Sequence, residues 1–260
     1  MPDQSVFIPW LPFFTLLKKE VLRFLSVAAQ TVITPIITAS LYLLVFGVSL
    51  GGKISLFPQF SYVQFVVPGL ILMGAINNSF ANTSSSLFFS RYLGNIVDLL
   101  VTPITPSQFI MAYTIAAIFR GLIVGTSTFL VSLFFARLPW VHPFQALAMI
   151  LMANFLFAQL GMIAAIYSNS FDALSMYTNF LILPLIYTGG LFYPISMLPP
   201  FWHHVSQANP LSYLIDGFRQ AILGIGDNSF AIDFGLAAVI GTVFFIWAAT
   251  LIRQGKRLRA

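Results

Sequence analysis

The chain has 260 residues, 58% of them hydrophobic and only 7% charged, whereas an ordinary soluble domain carries about 25% charged residues. Aromatics reach 16%, with 28 Phe, so most of the chain belongs in lipid rather than around a soluble core. The net charge of +5 comes from scattered Lys and Arg, which fits membrane topology better than a nucleic-acid surface, and the lack of Cys excludes disulfides, thiolate catalysis and cysteine metal sites.

The N-terminus has no short basic region followed by an apolar core, so no cleavable signal is expected. The first element is PWLPFFTLLKKEVLRFLSVAAQ. Thr15, Lys19, Arg23, Ser26 and Gln30 recur at three- and four-residue steps, with Leu17, Val21 and Leu25 on the opposite side. That pattern predicts a helix lying in the membrane interface; a plain topology anchor would give the same composition.

Six stretches are long and apolar enough to span a bilayer, roughly 30–50, 63–86, 107–135, 144–166, 173–192 and 233–252, since about 20 residues are needed. An even number puts both termini on one side. With both inside, Lys18, Lys19, Arg23, Arg91, Arg253, Lys256, Arg257 and Arg259 are cytoplasmic, against Lys53, Arg137 and Arg219 outside. That is the sense of the positive-inside rule.

The second span is polar for its place. Asn78, Asn82 and Ser85 fall at i, i+4, i+7, and such groups face other helices or a wet cavity. After it, RYLGNIVDLLVTPITP puts Leu93, Ile96, Val97 and Leu100 on one helical face, and Arg91, Asn95 and Asp98 on another. A helix over 91–100, stopped by Pro103 and Pro106, could dock in a partner's groove or rest on the bilayer.

The third span holds Arg120, with no other charge between Phe109 and Ala136. It lies too deep to snorkel easily. Beside it run Ala117, Gly121 and Gly125, small residues that let a neighbouring helix come close. Arg120 is therefore expected to face a hydrated pathway that meets an anionic head group, or to act as a buried hydrogen-bonding strut.

The segment before the last span is the least lipid-like. Pro184 and the Gly189–Gly190 pair predict a broken or partly re-entrant fifth span, tolerated only where protein covers the backbone. Asn209–Pro210 is a helix start and Gly224 a stop. Leu211, Leu214, Ile215, Phe218 and Ile222 share one face of that helix, and Asp216, Arg219 and Gln220 another, which predicts an outer interfacial helix lidding the membrane part.

Absences narrow the chemistry. The six spans contain no Glu, Lys or His, and no Asp except Asp233 at the mouth of the last. A proton-coupled carrier usually needs such a group, and arginine does not give up its proton. No G-x-x-x-x-G-K-[ST] loop exists, so energy for uphill movement has to come from another subunit. GVSLG at 47–51 matches G-x-S-x-G, but Ser49 then ends a membrane helix instead of sitting on a strand-to-helix turn. His203 and His204 are adjacent, diverge on a helix and have no carboxylate at ligand spacing.

These pieces together resemble the permease subunit of a bacterial ABC transporter of the ABC-2 type. The blocks that carry the resemblance are FSYVQFVVPGLILM, RYLGNIVDLLVTPITPSQFIMAY, FRGLIVG and GGLFYPISMLPPFWHHVSQANPLSYLIDGFRQAILG. Within that family the chain is similar to the YadH-like inner-membrane exporters, whose relatives export drugs, polysaccharides or lipid-linked glycans. The resemblance implies an all-α polytopic membrane protein with six transmembrane helices, an N-terminal amphipathic interfacial helix, a cytoplasmic coupling helix and a re-entrant or interfacial outer segment. It implies one transmembrane domain over 1–260, with the interfacial helix at 1–29, the spans at 30–252 and a basic tail at 253–260. Expected partners are a second copy of the chain, two copies of a cytoplasmic ATPase and membrane lipids, with no nucleic acid. ATP and Mg2+ belong on the ATPase, no cofactor or metal on this chain, and the chain is not an enzyme by itself. Arg91, Leu93, Asn95, Ile96, Val97, Asp98 and Leu100 would couple to the ATPase. Arg120, Asn78, Asn82 and Ser85 would line the path, and Gly189, Gly190, Tyr193, Asp216 and Arg219 the outer gate. The competing expectation is a stand-alone passive channel or secondary transporter.

Overall fold

A computed structural model of the protein describes residues 10–49, 59–96 and 101–255. Its regular elements are helices: α1 (Leu11–Leu25), α2 (Ala28–Tyr42), α3 (Tyr62–Tyr92), α4 (Pro106–Ser132), α5 (Pro143–Tyr167), α6 (Phe171–Tyr177), α7 (Leu183–Thr188), α8 (Pro200–Gln207), α9 (Pro210–Leu223) and α10 (Phe230–Gln254). Five helical runs, 28–46, 62–92, 106–132, 143–167 and 230–254, are long and apolar enough to cross a membrane.

The expected fifth span, 173–192, is instead a helical run from Phe171 to Thr188, in which the π-helical segment Thr178–Ile182 joins α6 to α7. Pro184 explains the interruption. It has no N–H for the carbonyl four residues earlier, and a widened turn relieves the clash of its ring with the backbone. The run ends at Gly189, and Gly190 takes the left-handed φ of 75° that turns the chain back toward α9.

The longest helices start from local chemistry. Ser61 with Gln64 and Thr105 with Gln108 form reciprocal capping boxes at the heads of α3 and α4. Asn209 caps α9 by accepting from the Leu211 N–H at 2.9 Å, and Gly224, at φ 77°, ends it. Both boundaries fall where the sequence places them.

α3 is the central post. α4 and α5 press against it where side chains are small. A Cβ on Gly121 of α4 would collide with the Asn154 amide and the Ser79 hydroxyl, and one on Gly161 of α5 with Thr83 and the Phe80 carbonyl. The space is filled by hydrogen bonds: Ser79 donates to the Ala117 carbonyl at 2.9 Å and Thr83 to that of Ala158 at 2.9 Å. The small-residue stripe Ala117–Gly121–Gly125 is thus a close helix contact, and part of the polarity of the second span is packing.

Both ends of the described chain meet at one end of the bundle. Phe13 and Leu16 of α1, Ile96, Phe109 of α4, Ile166 of α5 and Ile252 of α10 share one buried cluster there. α9 lies toward the opposite, far end, packed against α3, α5 and α10.

Three expectations change. α1 buries Phe13, Leu16, Glu20 and Phe24, while Leu25 is exposed, Leu17 and Val21 are only half-buried and Arg23 turns inward. Packing against α4 selects a face different from the one with the cleanest polarity. Residues 91–100 do not form one helix: α3 runs on to Tyr92, and a turn at 93–95, with Gly94 at φ 76°, separates Arg91 from Ile96. Finally, α9 does not lie on the surface. Its apolar face is buried and so are Asp216 and Arg219, because surrounding loops supply partners for both charges.

Candidate functional site

One face of α3 carries a ladder of polar side chains, and each rung holds a group from another helix. Ser86 donates to Glu20 Oε2 at 2.6 Å. Asn82 Oδ1 and its carbonyl accept from Arg23 at 2.9 and 3.1 Å. Asn78 Oδ1 accepts from Arg120 Nε at 3.2 Å, and its own amide donates to the Gly74 carbonyl. The rungs are four residues apart, so they stack on one helix face.

Ser85, expected on this face, bonds back to the Ala81 carbonyl of its own helix at 2.6 Å, and Ser86 takes its place. A four-residue step follows the rung better than the i+7 step that singles out Ser85. The structure joins Arg120 to Asn78 but commits Asn82 to Arg23.

Glu20 is the residue that periodicity does not flag. It is 0% exposed and pairs with Arg23 Nε at 3.1 Å, the sole ion pair among the described residues. α1 thereby carries a carboxylate to the flank of the second span, although the spans themselves lack one. The available signal is its place on the line Phe13, Leu16, Glu20, Phe24, where an acidic residue interrupts a buried apolar row. Burying a pair is costly unless both charges are further hydrogen-bonded, and here Ser86 and Asn82 supply those bonds.

Arg120 contrasts with this. It sits near the middle of α4, its Nε is held by Asn78, and no carboxylate pairs with it among the described residues. Next to Asn78 lies a cavity of about 160 Å3 between α2, α3 and α4, with Thr34, Thr38, Asn77 and Thr128 among its lining residues.

Of the residues expected to face a partner, Arg91 belongs to α3 and donates to the carbonyls of Ile166 and Ser168 at 3.0 and 3.2 Å, at the end of α5. Leu93 is 64% exposed, Asn95 is also exposed, and Ile96 is buried in the cluster that unites the two ends of the chain. Val97, Asp98 and Leu100 lie outside the described residues, as do the Ser49 side chain, Leu50 and Gly51 of the GVSLG segment.

At the far end α9 acts as a two-sided clamp. Arg219, 6% exposed, donates to the Gly190 carbonyl at 2.8 Å and places its guanidinium 3.8 Å from the centre of the Phe65 ring. Asp216 accepts from the Asp227 and Asn228 N–H groups at 2.9 Å. Tyr193 ties the connector to α7 through the Tyr187 carbonyl at 2.6 Å, and Gly189 packs against Leu211. Five residues expected at one gate therefore do share one end of the fold. Two cavities, of about 380 and 270 Å3, flank Asp216 and Asp227. Burial and the nearby Asp216 carboxylate raise the pKa of Asp227, opposed by Arg219 and His203. His203 and His204 sit on α8 with rings 6.1 Å apart. Among the described residues no group of three or more His, Asp or Glu has metal-site geometry.

The profile of the ABC-2 type transporter family matches residues 12–223. The chain is 39% identical over 254 residues to the inner membrane transport permease YadH of Escherichia coli K12, covering 96% of this chain and 98% of that one. It is 23% identical over 238 residues to nodulation protein J of Rhizobium meliloti 1021, covering 91% of each. A helical bundle with this polar ladder, matched along nearly its whole length, belongs to the ABC-2 type transporter family, as a membrane-embedded transport permease.

Proposed function

We propose that the chain is the permease subunit of an ATP-driven exporter, working as a homodimer with two copies of a separate cytoplasmic ATPase. Its substrate is hydrophobic or amphipathic: a drug, a lipid or a lipid-linked glycan. The full-length likeness to a transport permease carries this reading. The whole chain forms one transmembrane domain in a bacterial inner membrane, with both termini cytoplasmic.

In this reading the stretch after Gly94, including Asp98 and Leu100, meets the ATPase. Ile96 is the residue best placed to pass movement on, because it is buried with Phe13 of α1 and Ile252 of α10. ATP and Mg2+ bind to the partner ATPase. Arg120 and Asn78 line the path, and α9 with Gly189, Gly190 and Tyr193 forms the outer gate.

The test is purification of the tagged chain with candidate ATPase subunits, followed by an ATPase assay in lipid. A stoichiometric ATPase that turns over, and that Asp98→Lys disconnects, supports the reading. A homo-oligomer that never binds an ATPase, yet conducts solutes in liposomes, replaces it with a passive pore.

A further inference from the structure

We propose that Arg120 and the cavity that opens on its partner Asn78 form a head-group subsite selecting amphiphiles whose phosphate or carboxylate head carries a net negative charge. This deepens the reading of Arg120 as part of the path and rests on it.

The first support is a charge imbalance. Two arginines meet the polar face of α3 four residues apart. Arg23 has the carboxylate of Glu20 at 3.1 Å and two acceptors on Asn82. Arg120 has one acceptor, Asn78 Oδ1, bound to its Nε. Its two terminal amino groups make no protein hydrogen bond among the described residues. A guanidinium at this depth is expensive unless acceptors surround it. A phosphate or carboxylate offers the planar pair of oxygens that a guanidinium binds best, by two parallel hydrogen bonds.

The second support is the space that opens on Asn78, the residue holding Arg120. The cavity is lined by Asn78 itself, with Thr34, Thr38, Asn77 and Thr128. Thr128 is 1% exposed and its hydroxyl has no partner, so a buried donor is left at the cavity wall. A bound head group or its water would give that buried hydroxyl the partner it lacks. The volume of about 160 Å3 suits a small charged head, not a sugar chain.

The third is where a tail would go. Ile33, Ile37 and Leu41 of α2 and Phe119, Ile123 and Leu130 of α4 are exposed on the two helices that flank the cavity. They offer an apolar track for an acyl or isoprenoid chain while the head stays at Arg120. A cationic amphiphile would meet Arg120 unneutralised and is disfavoured.

The chain has no Cys, so Ile37→Cys supplies a single labelling site. A bimane on it, in the full chain reconstituted in phosphatidylcholine nanodiscs, reports quenching by spin-labelled phosphatidylglycerol or phosphatidylcholine. The expected result is at least a tenfold preference for the anionic lipid, abolished by Arg120→Gln and kept in large part by Arg120→Lys. Thr38→Phe, which fills the cavity and leaves Arg120 in place, should also abolish it, and serves if Arg120→Gln does not accumulate. Competition by millimolar inorganic phosphate would assign the site to the free anion; its failure to compete assigns it to the lipid. Equal quenching by both lipids, or a preference that survives both Arg120→Gln and Thr38→Phe, overturns the proposal. No ATPase is needed, so the outcomes separate. Head-group preference without ATPase association keeps the subsite and removes the exporter reading; ATPase coupling without preference does the reverse.

Discussion

Gly161→Ala tests whether the close approach of α3 and α5 holds the bundle together. A Cβ there would sit 2.5 Å from the Phe80 carbonyl oxygen and collide with the Thr83 hydroxyl. Ordinary contacts lie at about 3.5–4.0 Å, so the helices have to part by roughly 1 Å. The carbonyl is backbone and cannot rotate away. Overpacking of this kind costs ~1–3 kcal/mol. Parting the helices also stretches the 2.9 Å bond from Thr83 to the Ala158 carbonyl, worth ~0.6 kcal/mol between membrane helices. Alanine returns ~1 kcal/mol as a better helix former. The net expectation is a loss of ~0.5–2.5 kcal/mol. The control is Gly235→Ala in α10, where nothing lies within 4 Å of the new methyl, so the change should be neutral or stabilising by up to ~1 kcal/mol. Equilibrium unfolding of both variants in mixed micelles with increasing SDS reads the difference directly. If Gly161→Ala unfolds within ~0.5 kcal/mol of Gly235→Ala, the α3–α5 contact is not tight in the folded protein and the reasoning from Gly161 fails.

Further expectations address the other sites. Glu20→Ala should loosen α1 by ~2–3 kcal/mol, since Arg23 and Ser86 lose their partner in a buried setting, and limited proteolysis between α1 and α2 should quicken; Glu20→Gln, which can still accept from Ser86, should do less harm. Asn209→Ala removes the cap of α9 and the donor to the Leu185 carbonyl at 2.7 Å, so the thermal midpoint should drop by the equivalent of ~1–2 kcal/mol. The raised pKa of Asp227 means the folded protein holds that proton more tightly than the unfolded chain does. Its contribution therefore favours folding at low pH and is lost as pH rises through the folded pKa. Asp227→Asn should flatten that part of the stability–pH curve without breaking the backbone bonds to Asp216; an unaltered curve would show that Asp227 is not the titrating group.

What was legible in the sequence depended on how local the cause was. The start at Asn209 and the stop at Gly224 follow from one side chain and one φ angle, so they could be read directly. The stripe Ala117–Gly121–Gly125 was readable because small size has the same meaning on any partner. Glu20 was not, since its burial depends on Ser86 and Arg23 arriving from 66 and 3 residues away. The turn at Gly94 was hidden because Leu93 and Ile96 keep helical spacing across it. The buried polar face of α9 is illegible for the opposite reason: the hydrogen-bond partners of Asp216 and Arg219 are backbone groups, which leave no trace in residue type.

Asp216 and Arg219 stand three residues apart on one helix with opposite charge, yet each is spent on a different strip of backbone, Asp216 on 227–228 and Arg219 on 190–191. They are therefore not a couple that can trade places. An inverted variant, Asp216→Arg with Arg219→Asp, keeps the net charge but sets a cation against N–H donors and an anion against carbonyls. Related chains should accordingly vary these two positions independently, each in step with the shape of its own loop, and charge-reversed pairs should be missing from them.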